Sequence, residues 1–177
     1  MGKGNKFVNV LLAILVLVGV YYTYLGGFMA VEFKEAPYAG FNAVVVNESG
    51  YYQSDAGLLK VKNYLELSSV EGYRHVKFFS GRDSFYGKGK YKSGVILDRV
   101  ELLRVSESEN YSIVKVPEKE YLISEFPYKN KMSTLVASYR INSFLDEELV
   151  RLNMTLNSTT QIHETFDRKI VYLFEID

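Results

Sequence analysis

From Glu120 to Leu152 the chain reads EYLISEFPYKNKMSTLVASYRINSFLDEELVRL. Its first part, Glu120 to Phe126, is rich in β-branched and aromatic residues and predicts a strand. Pro127 ends this strand, because proline cannot donate a hydrogen bond to a strand ladder. Apolar residues then recur at helical spacing, at Met132, Leu135, Val136 and Tyr139. The stretch therefore predicts a strand followed closely by a helix.

A second helical segment and a hairpin are predicted after this helix. Ser143 followed by Asp146 resembles a capping box, which predicts that a new segment begins there. Its apolar positions are Leu145, Leu149 and Leu152. Two further runs, Gln161–Thr165 and Ile170–Ile176, predict strands joined by the turn Asp167-Arg168-Lys169.

The first half of the chain shows the same order of elements. Tyr38–Asn47 (YAGFNAVVVN) predicts a strand that ends at the turn residues Glu48-Ser49-Gly50. Ser54 and Asp55 suit a helix N-cap, and the apolar positions of that helix are Leu58, Val61 and Leu65. Two strands, Val76–Phe79 and Val95–Leu102, are separated by a glycine-rich, polar connection, SGRDSFYGKGKYKSG. Each half is thus strand, helix, strand, strand, which predicts a duplicated α+β domain with modules at about 38–103 and 112–177.

The N-terminal segment predicts a membrane-spanning helix over residues 7–29. The 25 residues between Lys6 and Glu32 carry no charge, and Phe7–Leu25 reads FVNVLLAILVLVGVYYTYL. As a helix, this run would be about 28 Å long, close to the ~30 Å hydrocarbon core of a bilayer. A buried helix of a soluble protein would keep a polar stripe. A cleaved signal peptide would have a shorter apolar run and small residues before the cut, where this chain has Phe28.

The charges flanking this segment predict its orientation. Lys3 and Lys6 precede it without an acidic neighbour, whereas acidic and basic residues are mixed on its far side. Because positive residues stay in the cytoplasm, we expect a cytoplasmic tail at residues 1–6 and residues 32–177 on the exoplasmic side. Tyrosines favour the headgroup layer at the far end of the span, where Tyr21, Tyr22 and Tyr24 lie.

The composition excludes several classes of function. Without Lys3 and Lys6, 19 basic residues face 21 acidic residues, and no basic run suggests nucleic-acid binding. The chain has no cysteine, so disulfides, thiolate catalysis and Cys-ligated metals are excluded. His75 and His163 lie far apart in the sequence and show no metal-ligand spacing. We therefore expect no metal and no cofactor, and no motif specifies a reaction.

The chain resembles the GyrI-like effector-binding superfamily. The resemblance rests on the two modules, on Tyr38-Ala39-Gly40 and on the closing segment QIHETFDRKIVYLFEI. The stretch from Glu120 to Leu152 is similar to the second module of the membrane-anchored branch, which includes a testis-expressed autophagy receptor of the endoplasmic reticulum. The resemblance implies antiparallel sheets with helices on one side and a concave aromatic groove between the modules. Members bind small molecules there, often cationic or apolar, and some members are hydrolases.

The resemblance also implies a binding site. In the superfamily an acidic residue on the penultimate strand points into the groove, and Glu164 occupies that position. A carboxylate between aromatic walls would be partly desolvated, which suits it to pair with a cation or to act as a general base. Tyr172, Phe126 and Tyr139 are the candidates for the aromatic wall, and packing in the core is the alternative role for each.

Three functions remain open from the sequence. The favoured hypothesis is a membrane-tethered, non-enzymatic domain that binds a small molecule, or a segment of a partner, in its groove. One alternative is a hydrolase in which Glu164 activates water. The other is a scaffold domain, which predicts that the sheet has no pocket.

Overall fold

The computed structural model describes residues 3–52, 54–65, 73–80, 87–98, 110–164 and 166–177. This part of the chain contains three helices, α1 (Lys3–Tyr24), α2 (Ala56–Tyr64) and α3 (Lys131–Leu152). The strands described are β1 (Lys34–Tyr38), β2 (Phe41–Tyr51), β3 (His75–Ser80), β4 (Lys88–Leu97), β5 (Ser112–Val116), β6 (Lys119–Pro127), β7 (Leu156–Glu164) and β8 (Lys169–Ile176). The predicted α+β class is confirmed.

The eight strands form one antiparallel sheet in the order β1-β6-β8-β7-β3-β4-β2-β5. Strands β1 to β4 of the first half are equivalent to β5 to β8 of the second half, in that order. Exchanging each strand for its equivalent gives the same sheet order read from the opposite edge. The duplicated modules are therefore related by a pseudo-twofold axis between the central strands β3 and β7. Each module contains the predicted strand, helix, strand and strand, preceded by one additional strand, β1 or β5, that the sequence analysis did not identify.

The short links between strands curl the sheet into a half-barrel. Only Ala39 and Gly40 separate β1 from β2, yet these strands occupy the first and seventh positions of the sheet. Six strand spacings would cover about 29 Å in a flat sheet, whereas the link reaches only about 11 Å. The equivalent link from β5 to β6 lies against the first one, since a Cβ at Gly40 would be 2.8 Å from the Glu118 amide nitrogen. The modules thus exchange their first strands.

The predicted bounds of two strands in the first module are wrong. The predicted strand Tyr38–Asn47 is broken at residues 39–40, and β2 continues to Tyr51 through the predicted turn 48–50. Residues 88–94, predicted as part of a connection, belong to β4. The reason is the long ladder between β2 and β4, which runs from the Asn42–Leu97 pair to the Tyr51–Lys88 pair and overrides the local turn preference. Residues 81–86 and 99–102 of these predicted elements lie outside the described residues.

The predicted break at Ser143 is also wrong, because α3 is one uninterrupted helix. The Ser143 hydroxyl donates to the Tyr139 carbonyl oxygen, four residues earlier, at 2.7 Å, so it bonds within the helix and caps nothing. The N-cap is Asn130, whose side chain accepts from the Met132 amide at 2.8 Å. The helix ends at Asn153, which adopts the left-handed conformation.

The two faces of the sheet differ. On the outer face, α2 packs Leu58 and Val61 against β2 and β4, and α3 packs Ala137, Ile141 and Leu145 against the second module. No helix of the described chain covers the inner face. Its middle is filled by buried side chains from both modules, at Phe41, Val45, Val76, Ile96, Val116, Tyr121, Ile123, Ile162, Val171 and Leu173. Helices therefore lie on one side of the sheet, as predicted.

Helix α1 is long and apolar enough to cross a membrane over Lys6–Tyr24, and the described part of the chain buries none of that segment. The turn that follows it packs against the second module, where Leu25 is only 2% exposed. The Asn130 side chain donates to the Tyr21 hydroxyl at 3.3 Å, and Arg140 donates to the Met29 carbonyl oxygen at 2.9 Å. The end of α1 is thereby fixed beside the start of α3.

Candidate functional site

The inner face carries polar groups at both of its ends, on either side of the apolar middle. One end contains Glu164, the last residue of β7, and the other contains Ser80, the last residue of β3. Because β3 and β7 are antiparallel and related by the pseudo-twofold axis, these two ends are structurally equivalent. Their chemistry, however, is different.

The Glu164 end is an internally neutralised cluster. The Tyr38 hydroxyl donates to one oxygen of Glu164 at 3.3 Å, and Arg74 lies 4.0 Å from the same oxygen. The Lys169 ammonium lies 3.4 Å from the other oxygen. Burial, and then the neighbouring Glu164 carboxylate, raise the pKa of the Tyr38 phenol. The Glu164 side chain is only 15% exposed, so two cations of the protein already occupy the positions that a cationic ligand would take.

The residues predicted to form the aromatic wall do not lie beside Glu164. Gln161 pairs with Tyr172 and His163 with Ile170, which places Tyr172 on the outer face, opposite to Glu164. Its hydroxyl accepts from the Gln161 amide at 2.9 Å and lies 3.3 Å from the Ser138 hydroxyl, and burial raises its pKa.

Phe126 is also on the outer face, 2% exposed in the cluster beneath α3, and Tyr139 is 63% exposed on α3 itself. The four predicted residues therefore do not line one groove, and a ligand contact by any of them stays a prediction.

A cavity of about 630 Å³ lies at the Ser80 end. The apolar side chains of Phe78 and Val114 form its floor, and the exposed Lys90 and Lys92 stand on its rim. Ser80 and Ser158 add hydroxyl groups to the wall, and these two residues face each other across the β3–β7 pair. An apolar floor with a few converging polar groups is the usual form of a small-molecule site.

The rim lysines make no ion pair or hydrogen bond with any residue that the structure describes. Lys92 is on the inner face because it lies opposite Phe78 on β3. Lys90 is two residues away on the same strand and therefore shares that face. Glu48 also borders the cavity, but its carboxylate accepts from Lys60 of α2, on the outer face, at 2.7 Å. Among the described residues, the charge of these two lysines at the rim is therefore not compensated.

This cavity was not predicted from the sequence, although the sequence contains a signal for it. The segment KGKYK has lysine at every second position, 88, 90 and 92, which is the period of a strand with one basic face. Its glycines and polar residues led to its interpretation as a connection.

The outer face has a polar cluster around the central strands that the sequence analysis also missed. Burial lowers the pKa of Lys77 to about 8, although Asp55 lies 3.9 Å away and opposes that shift. Burial, and then the charge of Lys77, lower the pKa of His163. Among the described residues, no group of three or more His, Cys, Asp or Glu side chains could hold a metal ion. These groups face away from the cavity.

Comparison with known proteins gives structural neighbours only. No protein-family model matches the sequence, and no curated protein is similar to it. The C-terminal domain of EcmrR is 10% identical with a TM-score of 0.52, covering 84% of this chain and 99% of that domain. An integron cassette protein from the mobile metagenome of Vibrio cholerae is 9% identical with a TM-score of 0.52, covering 82% and 95%.

The structure of SAV2435 bound to tetraphenylphosphonium is 11% identical with a TM-score of 0.50, covering 82% of this chain and 94% of that protein. At these identities the likeness concerns the fold alone. The observed fold, one curled antiparallel sheet with helices on its outer face, is consistent with the GyrI-like arrangement of antiparallel strands with helices on one side.

Proposed function

We propose that this chain is a GyrI-like domain that binds a small molecule, without catalysing a reaction, and that α1 tethers it to a membrane. The observation that carries the proposal is the cavity of about 630 Å³ at the Ser80 end of the inner face. Its volume lies within the ~300–1,000 Å³ of typical small-molecule sites. A neighbour with the same fold, SAV2435, was solved bound to tetraphenylphosphonium, which supports small-molecule binding by this architecture.

Two observations favour binding over the hydrolase alternative. The cavity and Glu164 lie at opposite ends of the inner face. Ser158, in the cavity wall, and Glu164 are six residues apart along β7, which corresponds to about 20 Å. Tyr38, Arg74 and Lys169 surround both oxygens of Glu164, and a general base needs an oxygen within ~3 Å of the proton it removes. The scaffold alternative predicts no pocket, so the cavity supports binding over that alternative as well.

The proposal is tested by measuring the affinity of naphthol, a neutral aromatic probe, for the full chain in phosphatidylcholine nanodiscs. Truncating the cavity floor by Phe78→Ala should weaken binding about tenfold, because burial of an aromatic side chain contributes roughly 1.5–3 kcal/mol. Phe144→Ala, on the outer surface of α3, is the matched control and should bind as the wild type does.

Glu164→Gln separates the two ends of the inner face in the same assay. We expect it to leave the affinity for naphthol unchanged. If Glu164→Gln weakens binding while Phe78→Ala does not, the ligand occupies the Glu164 end and the assignment of the cavity is wrong. If the wild type does not bind naphthol, naphthoate or trimethylnaphthylammonium, the binding function itself is contradicted.

The proposed tether places residues 1–6 in the cytoplasm and residues 32–177 on the exoplasmic side. The length and composition of α1 and the position of Lys3 and Lys6 support this topology. In sealed vesicles of known sidedness, protease on the exoplasmic side should digest the domain and spare a tag at the N-terminus. Digestion of the domain only from the cytoplasmic side would mean that the topology is the reverse of the proposed one. A mature protein that lacks residues 1–30 would mean that the segment is a cleaved signal peptide.

A further inference from the structure

We propose that the cavity at the Ser80 end selects aromatic anions, such as small aryl carboxylates, over neutral and cationic molecules of the same shape. The inference rests on the proposed binding function and adds the charge of the ligand. It reverses the charge preference that the superfamily resemblance implies.

The pseudo-twofold axis relates the two ends of the inner face residue by residue. At one end, Glu164 of β7 lies opposite Lys169 of β8, and their side chains form an ion pair of 3.4 Å. At the other end, Phe78 of β3 lies opposite Lys92 of β4. Continuing this register by two residues along each strand places Ser80 opposite Lys90. Ser80 therefore occupies the position of Glu164, and Lys90 occupies the position of Lys169.

With serine in place of glutamate, no carboxylate of the described residues pairs with these lysines. A glutamate at the Ser80 position would pair with Lys90 as Glu164 pairs with Lys169. With serine there, the ammonium groups of Lys90 and Lys92 border an empty volume. A bound carboxylate would take the place of the missing glutamate, and its aromatic body would lie on Phe78 and Val114. Hydrogen bonds between ionised partners are about twice as strong as neutral ones.

In the described part of the chain, Glu48 and Glu175 are the carboxylates at or beside the cavity wall, and both are engaged. Glu48 pairs with Lys60 on the outer face. Glu175 accepts from Ser158, a residue of the cavity wall, at 2.7 Å and from Lys119 at 2.5 Å. The hydrogen bonds from Lys119 and then Ser158 lower the pKa of Glu175, so it stays ionised and paired. Among the described residues, the charge left for a ligand at this rim is positive.

The test compares three probes that share one ring system: naphthoate, naphthol and trimethylnaphthylammonium. Their dissociation constants are measured by calorimetry on the full chain in phosphatidylcholine nanodiscs, with empty nanodiscs subtracted. We expect naphthoate to bind at least tenfold tighter than naphthol and the cation to bind most weakly. Added salt should weaken the binding of naphthoate and leave that of naphthol nearly unchanged, because salt screens exposed charges.

Two sets of variants assign the preference to the rim. The double variant Lys90→Gln, Lys92→Gln should lower the affinity for naphthoate to that for naphthol. Ser80→Glu should do the same by supplying the internal carboxylate. Lys115→Gln removes the same charge from the outer face of neighbouring β5 and should change nothing.

Equal affinities of the wild type for naphthoate and naphthol, or tightest binding of the cation, would overturn the inference. An anion preference that survives both rim variants would overturn it too. In each of these cases the binding of naphthol would still support the proposed function. Absence of binding by all three probes would instead contradict the proposed function, and the inference with it.

Discussion

At the scale of single residues, the chemistry of the inner face depends on the side chain that ends the third strand of each module. Glu164 ends β7 and neutralises the cations around it. Ser80 ends β3, and no carboxylate of the described residues pairs with the lysines near it. The two ends therefore have equivalent strands but differently charged side chains among the described residues.

Tyr172 provides a residue-scale prediction that separates a structural role from a binding role. Its buried hydroxyl accepts from Gln161 and lies beside Ser138 on the outer face. Tyr172→Phe should lower the free energy of unfolding by about 1–3 kcal/mol, because a buried Gln161 donor loses this acceptor. Chemical denaturation measures the loss, and Tyr139→Phe, with an exposed hydroxyl, should be neutral.

The dissociation constant of naphthol decides the role of Tyr172. We expect it to be the same for Tyr172→Phe as for the wild type. A tenfold weaker affinity with unchanged stability would place Tyr172 in the wall of the ligand site after all.

Tyr172 also shows how far residue-level reasoning from the sequence could go. Side chains alternate between the faces of a strand, so the sequence alone indicates that Ile162 shares a face with Glu164 and that Ile170 shares a face with Tyr172, as the strand register has them. It could not show which face of β8 lies beside Glu164, because the register between two strands depends on the turn that joins them. A shift of one residue in that register would have moved Tyr172 to the inner face.

At the scale of elements, short sequence patterns predicted most of the helices and strands that depend on neighbouring residues alone. The β6 strand, the start of α3 and the β7–β8 hairpin were predicted from periodicity and turn residues. The exchange of β1 and β5 between the modules could not be predicted, since it pairs Lys34 with Ile123 and Phe41 with Val116 across the sequence. Another pairing between distant residues, the ladder between β2 and β4, makes residues 88–94 part of the strand that carries the rim lysines, where a connection was predicted.

The junction between α1 and the domain gives an element-scale prediction. Gly26 has a φ of +89°, and a Cβ there would lie 2.9 Å from the Pro127 ring and 3.1 Å from the Phe126 ring. Gly26→Ala should therefore strain the junction by about 1–3 kcal/mol. Thermal unfolding in nanodiscs should show a midpoint lower by several degrees.

Gly19→Ala is the control for this junction. Gly19 lies within α1, and a Cβ added there would meet no atom within 4 Å, so alanine at this position should not lower the midpoint. Equal midpoints for Gly26→Ala and the wild type would mean that the helix and the domain are not rigidly joined.

At the scale of the whole molecule, α1 and the cavity are at opposite ends of the strands. The turn after α1 packs on Phe126 and Pro127, and Pro127 pairs with Lys169 at the Glu164 end. The cavity lies at the Ser80 end, about 20 Å away along β7. With α1 in a bilayer, we expect the Glu164 end nearer the membrane and the cavity open to the aqueous phase. A ligand would then reach it from water.

The central claim is that a ligand occupies the Ser80 end of the inner face, and protection of introduced thiols tests it most directly. The chain has no cysteine, so Ser80→Cys places a unique thiol on the cavity wall and Ala36→Cys places one on the inner face of β1. The rate of alkylation of each thiol is measured in nanodiscs with and without saturating naphthoate. The account predicts at least tenfold slower alkylation of Ser80→Cys and an unchanged rate for Ala36→Cys. Protection of Ala36→Cys alone, or of neither thiol while naphthoate is bound, would contradict it.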